Sequence, residues 1–306
     1  MKILIFIVLL VTDMVYMNAT ISETNYKEPL YVIRFDISGA AAEIFLNDIP
    51  VYWHKKQSKI NSEISVPDSM LNGKNTLKVR TYATNKEGFN YREGAVVNIA
   101  LNIRESSAAL STNKPLLKLN LELDKEEGDI LKSNIASNTS PSITRYKDNE
   151  LVIENSIDIS HPFNNWAWQN GKTIEESEQN RLSLLAAYNS IYLALKNEDM
   201  ASLKALYSNA ADEYQKAYFL SSIDSAYEFM STGDHFGNKD WSLPPLEENL
   251  KRFDFKLDVY GNGKLARIVN ERGQAPIVYI NHSSGVVNFL KFGFYLNNNN
   301  EWIMIR

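Results

Sequence analysis

From about residue 30 to residue 104, apolar and polar side chains alternate with the period of two that belongs to half-buried strands. The alternation is clear over residues 31–37, 43–46, 76–82 and 96–103. Turn-forming residues separate these runs: Ser38-Gly39, Asn47-Asp48, Asn72-Gly73-Lys74-Asn75 and Lys86-Glu87-Gly88. A further strand is expected where Leu117, Leu119, Leu121 and Leu123 alternate with Lys118, Asn120 and Glu122. Several short strands with turns between them and no helical period predict an all-β antiparallel sandwich over residues 29–124.

The composition then changes. Residues 125–149 open on an acidic and glycine-containing turn and continue rich in Ser, Asn and Thr, which predicts a linker between domains. Residues 150–306 predict an α+β domain in which helices precede an antiparallel meander. Residues 151–159 are expected to open it as a strand. Thr173 and Glu176 have capping-box spacing for a first helix, on which Leu182, Leu185, Tyr188, Tyr192 and Leu195 form one apolar stripe. Asp199 is the expected cap of a second helix, and residues 210–230 read as a third, ended by Gly233. After residue 250 the period returns to two, with strands expected at 253–259, 265–270, 277–281, 286–296 and 302–305.

Two stretches resemble known folds. Glu43, Ile44, Phe45 and Leu46 before the Asn47-Asp48 turn, followed by the Leu71-Asn72-Gly73 corner before Thr76, Leu77 and Val79, resemble the jelly-roll accessory modules of bacterial glycosidases. That resemblance implies a sandwich and carries no sugar site with it. Residues 188–207, together with the hairpin at 294–302, are similar to the nuclear-transport-factor-2-like cone fold over residues 173–306. A helical 210–230 departs from that pattern, which places a strand there. The cone resemblance implies a pocket, and its enzymes use an Asp-His or Tyr-Asp pair. The matching positions here would be Tyr188, Tyr192, Tyr214, Tyr218 and Asp224, with no histidine on a helix, so no catalytic pair transfers.

The first nineteen residues have the form of an export signal: Lys2, an apolar run at 3–11, and Ala19 at the expected cut. Removing them takes away Lys2 and Asp13, one charge of each sign, so the net charge of −5 persists. This mild acidity excludes the electrostatic footprint of a nucleic-acid binder or a polybasic lipid contact, and it favours a basic partner. The chain has no cysteine, which excludes disulfides and thiolate metal sites and points to a bacterial periplasm or secretion.

Reaction chemistry has little to stand on. The four histidines, His54, His161, His235 and His282, lack neighbours at metal-ligand spacing, so neither a metal nor a cofactor is expected. Tyr260-Gly261-Asn262-Gly263 imitates a dinucleotide fingerprint, but a strand follows where a helix N-terminus is needed. Asp234 and His235 with Asp240 form one compact acid and imidazole group in a loop.

The reading that follows is a non-enzymatic protein-binding protein, in specific form a periplasmic immunity protein that neutralises a delivered toxin. Its expected contact residues are Trp53, Phe163, Trp166, Trp168, His235 and Trp241, because large aromatic side chains supply area at modest entropic cost. Burial of those aromatics between the domains, or of Trp53 at one end of the sandwich core, is the competing reading. Two other functions stay open: an enzyme for small molecules or carbohydrates using Asp224, Asp234 or His235, and a glycan-binding envelope adaptor.

Overall fold

The computed structural model describes residues 26–56, 58–82, 94–125, 131–137, 141–145, 150–160 and 165–305. The expected leader and the aromatic loop residue Phe163, with His161, lie outside them.

Among the described residues ten strands make the N-terminal sandwich: β1 (Pro29–Ser38), β2 (Ala41–Leu46), β3 (Ile49–His54), β4 (Ile60–Ser65), β5 (Gly73–Tyr82), β6 (Ala95–Glu105), β7 (Lys114–Lys125), β8 (Leu131–Ser137), β9 (Ser142–Arg145) and β10 (Leu151–Ile159). They form two five-stranded sheets, in the orders β4-β1-β6-β7-β8 and β3-β2-β5-β10-β9, and every pairing is antiparallel. The period of two delivers alternate residues of each strand to one core. Tyr31, Ile33, Phe35 and Ile37 of β1 and Val97, Ile99, Leu101 and Ile103 of β6 thus meet Ile44, Leu46, Leu77, Val79 and Ile153 from the facing sheet.

One corner of the sandwich is fixed by buried amides. Asn75 accepts from the Leu71 amide and donates to the Leu71 and Gly73 carbonyls, while Asn47 donates to Asn75 and to the Ser69 carbonyl. Gly73 sits at φ +92°, a region that favours glycine, so the expected corner chemistry is realised.

The boundary between halves is corrected. Within the expected linker, residues 131–137 and 142–145 are strands of the sandwich, because β8 pairs with β7 and β9 pairs with β10. Residues 151–159 do not open the second half either. They pair with β5 along their whole length and bury Leu151, Ile153 and Ile159 in the sandwich core. Pairing between distant segments decided this, and local composition does not encode it.

The second half contains α1 (Glu178–Lys196), α2 (Met200–Leu206), α3 (Ser208–Ala217), α4 (Ile223–Phe229), β11 (Trp241–Ser242), α5 (Leu246–Arg252), β12 (Phe255–Tyr260), β13 (Leu265–Asn270), β14 (Val278–Asn281), β15 (Val287–Phe289), β16 (Phe294–Leu296) and β17 (Trp302–Met304). Its sheets run β12-β13-β16-β17 and β11-β14-β15. An all-β part followed by helices and an antiparallel meander is the expected fold class. Helix α1 begins at the Ser177 cap, which accepts from the Asn180 amide, and not at Thr173. Residues 171–174 are instead held against the meander: Lys172 N donates to Leu296 O, Ile174 N to Gly263 O, and Lys264 Nζ to Gly171 O.

The buried face of α1 is Leu184, Tyr188, Ile191, Tyr192 and Leu195, and Leu182 is turned out with 54% of its surface exposed. The hydroxyl of the buried Tyr188 accepts from Ile268 N and donates to Phe292 O, stitching the helix to the sheet. Burial pushes its phenol far above the usual range, so it stays neutral. The expected helix over 210–230 breaks into α3 and α4, because Phe219 takes φ +55° and Tyr218 reaches across to the sandwich. A fresh Ser222 cap restarts the helix.

A third buried cluster, beside the core of each half, joins the halves. Ile49 of the sandwich packs with Trp166, Trp168, Ala217, Tyr260, Leu265, Tyr295 and Ile305, flanked by Leu71 and Tyr218. The Trp166 indole N–H donates to the Met70 carbonyl at 2.6 Å inside this seam. Trp166→Phe is therefore expected to lower stability by about 1–3 kcal/mol by leaving that carbonyl unpaired. Asn75→Ala, which strands several buried groups at once, should cost more than Trp166→Phe, as urea unfolding of each purified variant would measure.

Candidate functional site

The seam is also where the molecule opens to solvent. At its edge the left-handed Asp48 of the β2–β3 turn receives two backbone donors from the other half: Gly261 N on its carbonyl and Asn262 N on Oδ2 at 3.0 Å. The glycine-rich turn that imitates a dinucleotide fingerprint is thus a docking element, and its amides meet the carbonyl and the carboxylate of Asp48. Lys78 holds Asp48 from the sandwich side at 2.6 Å. At the opposite edge the Tyr218 hydroxyl donates to Asp68 Oδ1 at 3.2 Å.

Between these anchors two cavities lie along the seam, of about 230 and about 480 Å3. Pro50, Val51, Tyr260, Arg267 and Lys291 line both, so the two are lobes of one cleft walled by β3 on one side and by the meander on the other. The smaller lobe adds Ile64, Asp68, Tyr214 and Tyr218; the larger adds Glu43, Tyr52, Trp53, Arg80 and Asp258. Tyr214 and Tyr218 stack at 5.4 Å, and Phe229 leans on Tyr218 at 4.6 Å while half its surface stays in solvent.

Most charges of the cleft are paired. Arg80 lies between Glu43 at 3.5 Å and Glu150 at 2.8 Å, and Arg267 Nε donates to Asp258 at 2.7 Å with its guanidinium beside the Tyr260 ring. Burial pushes the Glu43 carboxyl up, against the opposing pull of Arg80. Lys291 differs. Among the described residues its ammonium has neither a hydrogen-bond nor an ion-pair partner; the residue lines both lobes at the rim, with much of its surface exposed to solvent. Burial, and after it the Arg267 charge, hold Lys291 below the ordinary lysine range. Lys55, which donates to the Arg272 carbonyl across the seam, is lowered by burial and then by the Lys291 charge.

The residues expected to meet a partner are distributed differently from the sequence reading. Trp166 and Trp168 are 4% and 3% exposed within the seam cluster, so they join the halves and offer no outer surface. Trp53, 37% exposed, neither plugs the sandwich core nor presents a free ring. Lys55 covers one face at 3.4 Å from the centroid, and Gly273 lies so close that an added Cβ would come within 2.6 Å of the ring. His235 stacks on Trp241 at 4.3 Å and tilts against Tyr279 at 4.5 Å, with Asn288 Nδ2 at 3.2 Å from Nε2. Asp224 is engaged by Lys204 at 2.7 Å.

Tyr188 and Tyr192 belong to the helical core, whereas Tyr214 and Tyr218 line the cleft. Among the described residues no group of three His, Asp or Glu side chains is arranged to hold a metal ion. Arg267 and Lys291, the cations that the cleft brings together, carry no local sequence signal. Each is one basic residue in a strand-like run, and only docking of the halves gives it a neighbourhood.

No protein-family model, curated protein or solved structure matches this chain.

The lowered Lys291 has a definite consequence for stability. Its charged form is disfavoured by folding, so it penalises the native state at neutral pH, and the penalty is relieved as the pH rises through its folded value towards the ordinary 10.5. Lys291→Met is expected to raise the urea midpoint at pH 7, with the gain shrinking towards pH 10.5. A loss of stability at pH 7, or a gain constant across that range, would contradict a strained ammonium.

Proposed function

We propose that this chain is an exported, non-enzymatic binding protein that receives part of a partner protein in the cleft between its two halves. The observation that carries the reading is the sharing of Pro50, Val51, Tyr260, Arg267 and Lys291 by both lobes, which makes one concave surface from two folded units. Concave sites between domains, with a few placed polar groups, are where ligands and partner segments are most often held. The walls carry the rings of Tyr214, Tyr218 and Tyr260 and the guanidinium of Arg267, residue types that are enriched at interface centres.

The specific form of the proposal is an immunity protein held in a bacterial periplasm against a toxin delivered from outside. The leader and the cysteine-free composition support export, and the mild acidity favours a basic partner. The paired buried seam supports a rigid receptor, which binds with less ordering cost than two loosely tethered domains.

Val51→Trp, which adds bulk where both lobes meet, tests the reading. Tagged mature chain incubated with periplasmic extract is expected to recover one protein stoichiometrically, and the variant to recover it at least tenfold less while melting within a few degrees of wild type. Recovery of the same protein by both, or of none by either, would refute the cleft as the binding surface. N-terminal sequencing of the chain from the periplasmic fraction should begin at Thr20.

A further inference from the structure

We infer that the outer face of α1 is a self-association surface, on which a second copy of this chain lays its own α1 antiparallel about a two-fold axis. The inference goes beyond the cleft and does not rest on it, since no residue of α1 lines either lobe.

The observation that carries it is a helix without a charged face towards solvent. The inner side of α1 buries Leu184, Tyr188, Ile191, Tyr192 and Leu195, yet residues 182–195 contain no charged side chain on any side. The outer side shows Leu182 and Leu193, 54% and 44% exposed, with Ala186 and Asn189 exposed between them. Two other helices of the chain show the ordinary arrangement: α3 turns the Asp212–Lys216 ion pair outward, and α5 exposes Glu247, Glu248, Lys251 and Arg252. A helix that is apolar on both sides has a second surface to cover.

The spacing names the occupant. Leu182, Ala186, Asn189 and Leu193 follow one another at intervals of four, three and four, the a and d pattern of a helix seam, and fall within about 60° around the axis. The stripe reads alike in both directions, with a leucine at each end and smaller side chains between. Laid antiparallel on a copy of itself, Leu182 meets the partner's Leu193 and Ala186 meets the partner's Asn189. The ends match as well. Glu178 in the first turn and Lys196 in the last are both exposed and stand five full turns apart, so they share one flank of the stripe. Antiparallel pairing brings Lys196, which is in no ion pair among the described residues, against the partner's Glu178, twice by symmetry. The helix dipoles are opposed in the same arrangement, which is favourable. On that flank Leu185 leads into a surface groove shared with Leu250 and the partly exposed Phe253, which continues the apolar area. A patch complementary to itself in shape and in charge is what an isologous contact requires.

The test is sedimentation-velocity ultracentrifugation of the mature chain across about 1–300 µM. One helix pair covers less than the roughly 800 Å2 per partner of a standard stable interface, so a monomer–dimer equilibrium with a dissociation constant of roughly 10–100 µM is expected. Leu193→Glu should weaken it by roughly tenfold or more, because a carboxylate would be buried in the seam, while melting within a few degrees of wild type. Register is read by cysteine cross-linking, which the absence of native cysteine makes clean. Positions 182 and 193 lie about 16 Å apart along the helix, beyond the reach of one disulfide. Mild oxidation of Leu182→Cys mixed with Leu193→Cys is therefore expected to give a linked dimer that neither variant gives alone. A chain monomeric throughout the range, or a dimer that Leu193→Glu leaves intact, would overturn the inference. Cross-linking of each variant to itself would overturn the antiparallel arrangement. A monomer that instead captures a periplasmic protein through Leu193 would assign the stripe to that protein and overturn self-pairing.

Discussion

The docking of Asp48 into the Gly261-Asn262 turn, reinforced by the buried Trp166 indole on the Met70 carbonyl, is the constraint on which the rest depends. Each half has its own core and could bury its own apolar faces. The seam between them carries a third, smaller cluster whose members come from both. With polar anchors near either end and an apolar centre, the two surfaces meet firmly along one line and diverge elsewhere. The cleft is that divergence, and its depth and lining follow from the register of the docking.

Charge in the cleft shows how little a global sum says about a local field. A net charge of −5 describes the chain as acidic, yet within the cleft Arg267 and Arg80 are each matched to a carboxylate, while Lys291 and Glu271 line the larger lobe outside any ion pair among the described residues. Coulombic effects fall off over a Debye length of roughly 8–10 Å, so a molecule entering the cleft would meet the local arrangement at contact and the overall charge only on approach. Aromatic side chains divide in the same way. Trp166 and Trp168 spend their area on joining the halves, while Tyr214, Tyr218 and Tyr260 spend theirs on the cleft wall.

Much of the fold was legible along the chain, and the failures have a common cause. Strict alternation located β1, β6, β7, β12 and β13, and the Gly73-Asn75 corner could be read from its own chemistry. The boundary at residues 125–149 was misread because Ser- and Asn-rich composition suits both a linker and edge strands, and only the pairing of β8 with β7 and of β9 with β10 separates them. Helix 210–230 broke at Phe219 because Tyr218 had a partner in Asp68, 150 positions away. Of the expected contact residues, Trp166 and Trp168 lie buried between the halves, which was the competing reading for them.

The sequence alone determined what depends on near neighbours: the sandwich-then-α+β order, most strand and helix positions, the turn chemistry, the absence of cysteine and the overall acidity. Those properties follow from backbone preferences and from burial of one face of each element, which a period of two or of three and four records directly. The tertiary structure decided the strand order, the true boundary between halves, the role of the glycine turn, and the gathering of Arg267 and Lys291 on one wall with Tyr260. A cleft is a relation between segments far apart in the chain, and its electrostatics depend on which charges find partners across that distance. No local pattern can carry that information.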